Sequence, residues 1–189
     1  MKSLFALGML LQFTAQLLFS VHSPEFDLME PVDIIHWLLL IGLVFIIPFS
    51  LSFAKGISNG IGAPITLIGV VCTIGMCAID FTLWVLRGDP EQRNALLQQL
   101  MNEPMIWSTF FTLGPALKFI GLSIQSLHYL QYQKIAVLSA ILGAMGVGLS
   151  AFMFPDYRSI YLLSYAVFVI ALLKIVFSKN QHRMFNNIT

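Results

Sequence analysis

Charge is what this sequence has least of. Only 10% of its 189 residues are Asp, Glu, Lys or Arg, and 58% are hydrophobic, whereas soluble chains carry about 25% charged residues. That deficit excludes a soluble globular domain. The net charge of +1 says nothing about nucleic acid, but no basic stripe exists, so no nucleic-acid partner is expected. Cysteine is scarce as well. Cys72 and Cys77 are the only two, and five residues on one helix turns them about 140° apart. They cannot bridge each other, and they form no C-x-x-C redox motif. Both are expected to be small packing residues. No H-E-x-x-H, G-x-S-x-G or glycine-rich phosphate loop occurs, which removes the commonest signatures of hydrolases and nucleotide enzymes. No cofactor and no resident metal is expected.

What the chain has in abundance is apolar runs. They cover 3–21, 34–54, 61–86, 105–127, 135–154 and 159–178. Each is close to the ~20 residues that cross a ~30 Å hydrocarbon core. In lipid the backbone must be satisfied within the segment, and no run alternates as a barrel strand would. The expectation is one all-α domain over 1–189, a polytopic bundle of six transmembrane helices with the bilayer as its main partner. The first run competes with a signal peptide, but Gln12 and Gln16 inside it and the lack of an A-x-A site favour a retained helix.

Orientation follows from the basic residues. Lys2, Lys55, Lys134, Lys179 and Arg183 fall on the side of both termini, and Arg87, Arg93 and Arg158 on the other. The bias places both termini in the cytoplasm, in a membrane expected to be the bacterial inner membrane. All nine acidic residues lie in the opposite half, which makes the outer face negative. On that side Gly88-Asp89-Pro90-Glu91-Gln92 opens a short helix at about 90–102: Asp89 caps, Pro90 takes the first position, and Gln92 is three beyond the cap. Leu96, Leu97, Leu100 and Met101 give it an apolar side for the outer interface.

The few polar residues within the runs are the candidates for function. Thr66, Gly69, Thr73, Cys77, Asp80, Trp84 and Arg87 recur at helical spacing along the third run, so this stripe faces other helices rather than lipid. The fourth run carries Thr112, Pro115, Lys118, Gly121, Gln125 and His128, and the first carries Gly8, Gln12, Gln16 and Ser20. Gly114-Pro115 should kink the fourth helix, because proline lacks an N–H and crowds the carbonyl of Phe111.

Counted from the ends of the apolar runs, Asp80 lies about 9 Å and Lys118 about 20 Å under the outer boundary. Their side chains lean toward each other, and the lysine stem adds about 6 Å. Asp80 is therefore expected to find Lys118, with His36 as the second candidate. Gln16, Thr109, Thr112 and Tyr161 belong to similar depths and, with Trp84 near the same side, complete a polar pocket in the outer half.

An isolated intramembrane ion costs at least about 3 kcal/mol, so such residues point to function. The expected function is binding or transport of a small polar or cationic ligand, or of a proton, at Asp80 and Lys118. Two other readings stand beside it. In one, the pair only fixes helix packing in a structural or assembly protein. In the other, the protein is a membrane enzyme, for which His22, Glu30, Asp33 and His36 form a weak metal-like set. The small residues Ser139, Gly143, Gly146 and Ser150 of the fifth run suit close packing and a homodimer.

Overall fold

The computed structural model describes residues 1–21, 31–53, 56–154 and 156–178. Among the described residues it is all-helical, with no strand. The helices are α1 (Lys2–Val21), α2 (Pro31–Ser50), α3 (Ile57–Val85), α4 (Pro90–Met101), α5 (Pro104–Trp107), α6 (Gly114–Ser126), α7 (Lys134–Met153) and α8 (Arg158–Phe177). Among the described residues, five stretches are long and apolar enough to cross a membrane: Lys2–Ser20, Ile57–Gly88, Pro104–Tyr129, Lys134–Met153 and Arg158–Phe177. The apolar part of α2, Ile34–Ser50, is shorter.

The long helices pack in chain order, α1 on α2, α2 on α3, α3 on α6, α6 on α7 and α7 on α8, and α8 returns to α1. The neighbours in this ring are not equally close. The α3–α6 seam is the tightest, whereas α6 and α7 touch little although only a short connection joins them. Glycine explains the tight seam. A Cβ on Gly69 would stand 2.2 Å from the backbone nitrogen of Lys118, and one on Gly121 would stand 2.4 Å from that of Thr66. Only residues without a side chain allow backbones this near, which is how helices gain packing energy where lipid gives them no hydrophobic drive.

Two apolar clusters fill the ring. One, around Phe5, Phe119, Phe168 and Leu172, joins α1, α6 and α8; the other, around Leu39, Leu43, Val70 and Cys77, joins α2 to α3. Outward positions such as Leu142, Leu163 and Ile170 are exposed, as a lipid-facing surface requires.

The break expected at Gly114-Pro115 takes a particular form. Ser108–Leu113 is a π-helical turn, and α6 starts immediately after it. A wider turn leaves room for the proline ring and needs no hydrogen bond from the missing N–H. The short helix after Asp89 is present as α4, and the Asp89 carboxylate accepts from the Gln92 backbone N–H at 3.0 Å.

The small-residue stripe of α7 is used inside the chain, against α8. A Cβ on Gly143 would meet the Phe168 backbone at 2.7 Å, and one on Gly146 the Ser164 hydroxyl at 2.5 Å.

Candidate functional site

Two cavities adjoin within the ring. The outer one, about 370 Å³, is bordered by His36, Asp80, Trp84, Arg87 and Arg93 among others. The larger one, about 770 Å³, lies between α6 and α7 and holds Lys118, Thr112 and Tyr161 in its wall. Gln16, Leu39, Met76 and Phe111 line both, so these four side chains are the partition between them. Among the expected pocket residues, His36, Asp80 and Trp84 thus belong to the outer cavity, Lys118, Thr112 and Tyr161 to the larger one, and Gln16 to both. Thr109 sits in the π turn and borders neither.

The expected Asp80–Lys118 contact is not made. The Asp80 carboxylate pairs with Nε2 of His36 at 2.9 Å, the second of the two anticipated partners. The reason is register. Gly69 abuts the Lys118 backbone, and Asp80 is eleven residues further along α3, an axial offset of about 16 Å. Counting depths from the ends of the apolar runs underestimates that offset by about a helical turn. Two leaning side chains do not span the remainder.

The Asp80–His36 pair is partly open, with side-chain exposures of 22% and 13%. Its position follows from the sequence: Asp80 continues the packed stripe of Thr66, Thr73 and Cys77, all buried, toward the C-terminal end of α3. His36 is one turn into α2, where its ring also meets the edge of Phe81, centroids 5.9 Å apart. Arg87 lies over the Trp84 ring at 3.9 Å, a cation–π contact. Arg93 reaches the same cavity from α4. The buried Trp84 Nε1–H has no hydrogen-bond partner among the described residues.

Lys118 is buried, at 4% exposure. Its Nζ donates to Gln12 Oε1 at 2.7 Å, and the Tyr165 hydroxyl donates to the same oxygen at 3.4 Å. Gln12 is itself fully buried, and its Nε2 has no partner among the described residues; neither has the Ser123 hydroxyl on the cavity wall. No carboxylate among the described residues lies within ion-pair distance of Lys118.

The His22, Glu30, Asp33 and His36 set cannot be assembled here: His22 and Glu30, and the side chain of Asp33, lie outside the described residues. Elsewhere, no cluster of three potential metal ligands occurs among the described residues.

Arg87, Arg93, Gln12 and Tyr165 complete the two sites without having been named as pocket residues. Gln12 and Arg87 were recognisable as members of polar stripes at helical spacing. Arg93 offered no such signal, because its role depends on where α4 folds back. No protein-family model, curated protein or solved structure matches the chain.

Proposed function

We propose that this is a six-span inner-membrane protein with both termini in the cytoplasm, built to bind or pass a small molecule through the outer half of the bundle. α2 is the sixth span: its 17 described apolar residues reach the lower limit for a crossing. α4 rests in the outer interface with Leu96, Leu97 and Leu100 half-buried.

One observation carries the functional reading. The intramembrane charges do not neutralise each other; Asp80 and Lys118 face two adjoining cavities, divided only by Gln16, Leu39, Met76 and Phe111. A chain that used these charges solely as glue would bring them together, since an unmatched ion in lipid is costly. Binding is favoured over catalysis because the polar groups present are an ion pair, an amine, amides and hydroxyls at separate depths. The π turn that contains Thr112 fits the same reading, since interrupted helices often border transport sites.

Access from outside is the test. With Cys72→Ser and Cys77→Ala as background, Met76→Cys and Leu39→Cys place single thiols on the partition. A membrane-impermeant methanethiosulfonate reagent applied to intact cells should modify both at rates within about tenfold of an Asp89→Cys control. Reaction at Asp89→Cys with neither partition thiol touched would overturn the proposal.

A structural reading draws on one contact, the Lys118–Gln12 hydrogen bond that ties α6 to α1. Stability of Lys118 variants separates the two, as set out in the Discussion.

A further inference from the structure

We propose that the larger cavity holds the carboxylate end of a single-chain amphiphile, a long-chain fatty acid, with its head at Lys118 and its tail leaving sideways between α6 and α7. This deepens the reading above and rests on it.

The argument begins with the unmatched cation. Among the described residues, Lys118 is the only charged one in a wall otherwise made of apolar side chains, a few hydroxyls and one amide. An ammonium offers three donors, and the protein supplies one short acceptor, Gln12 Oε1. The Ser123 hydroxyl, on the same wall, has no partner among the described residues. Donors in excess of acceptors around one positive charge call for an anion with more than one oxygen.

The rest of the cavity calls for hydrocarbon. Ile124, Ile141, Ala144 and Val147 line it, and at Gly148 a Cβ would meet nothing within 4 Å, so α7 faces open space there. Ile120, Met145 and Phe152 belong to the same wall and are 47%, 56% and 70% exposed. The cavity therefore continues to the lipid-facing surface through the least closely packed helix pair in the ring. Its volume of about 770 Å³ falls in the ~300–1,000 Å³ range of pockets that enclose one small molecule.

Depth selects a weak acid over a phospholipid. Lys118 is eleven residues from Tyr129 and fourteen from Pro104, about 16 and 21 Å along the helix. That is the middle of the hydrocarbon layer, where a permanently charged phosphate ester does not go. A carboxylic acid reaches that depth with its proton on and ionises beside the lysine. If the amine is neutral, it takes up that proton, and the product is a carboxylate–ammonium pair; if it is already charged, the proton leaves to water.

The test uses purified full-length protein in fatty-acid-free nanodiscs, with radiolabelled palmitate as probe and hexadecanol as the same chain without the carboxylate. Palmitate should bind saturably, one per chain, and hexadecanol should bind roughly tenfold more weakly or worse, the value of a hydrogen bond to a charged group. Lys118→Met should erase the difference between the two, and Lys118→Arg should keep it. Gly148→Phe, which puts a ring into the open space beside Gly148 on the cavity wall, should abolish palmitate binding while leaving the thermal midpoint in place. Equal binding of palmitate and hexadecanol to the native chain, or undiminished palmitate binding by a folded Gly148→Phe variant, would overturn the inference. Displacement of palmitate by an equal concentration of phosphatidylglycerol would also overturn it, in favour of a membrane-lipid site. Any of these results, obtained with the partition thiols still reactive, would leave the outward-open pocket standing and remove only the fatty acid.

Discussion

Two glutamines in this bundle are both fully buried, and they are treated in opposite ways. Near the C-terminal end of α6, Gln125 uses every hydrogen-bonding atom. Its Oε1 accepts from the hydroxyls of Ser50 and Thr66, and its Nε2 donates to the Ser50 carbonyl and to Asn59 Oδ1, between 2.6 and 3.2 Å. At mid-depth, Gln12 of α1 lends its carbonyl to Lys118 and Tyr165 and leaves its amide N–H groups without a partner among the described residues. A saturated buried network fixes one arrangement of helices, whereas an unsaturated one is expensive unless something fills it. The first pattern is that of a joint between α2, α3 and α6. The second is that of a site.

The largest effect should come from breaking the joint. Gln125→Leu removes four hydrogen bonds and strands the Asn59 and Ser50 groups. At about 0.6 kcal/mol for each interhelical bond in a membrane, the loss is about 2–3 kcal/mol. A clear drop of the thermal midpoint in detergent is the expected readout, and a midpoint unchanged within error would mean that the comparison is false. Lys118→Met should behave differently. Removing a lone buried cation relieves its desolvation cost while giving up one hydrogen bond to Gln12, so the change should stay within about 1 kcal/mol. A destabilisation near that of Gln125→Leu would make Lys118 a structural tie, and the cavity reading would lose its main support.

The same contrast explains what could be read from the residues alone. The apolar runs gave the helices to within a few residues, because hydrocarbon thickness and backbone satisfaction leave little choice. The cap at Asp89 and the packed stripe of α3 were equally plain, since both are local patterns. Register between helices was not. It is set by where Gly69 and Gly121 let α3 and α6 backbones meet, and nothing in the apolar runs marks that level. Asp80 and Lys118 were therefore placed too near each other, and His36 took the position of first partner. The opening between α6 and α7 was hidden for a related reason: a short connection implies neighbours, and these two helices are neighbours that diverge. Gln125 stood in view as a stripe residue, but its partners lie 59 to 75 residues away in sequence.

The smallest effect should be at Asp80, and it sharpens the comparison from the outer side. Asn in its place still accepts a hydrogen bond from His36 and keeps the shape of the cavity, so only the charge is lost. An ion pair this open contributes between about 0 and 1 kcal/mol, and stability should hardly move. The field inside the outer cavity should move, because Arg87 and Arg93 are then opposed by one negative charge fewer. A unit charge a few ångströms away is worth about 1 kcal/mol in a water-like medium. Asp80→Asn should accordingly shift the preference of Met76→Cys toward an anionic over a cationic methanethiosulfonate reagent by a few-fold. The ratio of the two rates cancels any general change in access, which makes it a reading of charge alone. A ratio unaltered by Asp80→Asn would mean that the carboxylate is not felt at the partition, and the outer cavity would then be a mouth without a role for its acid.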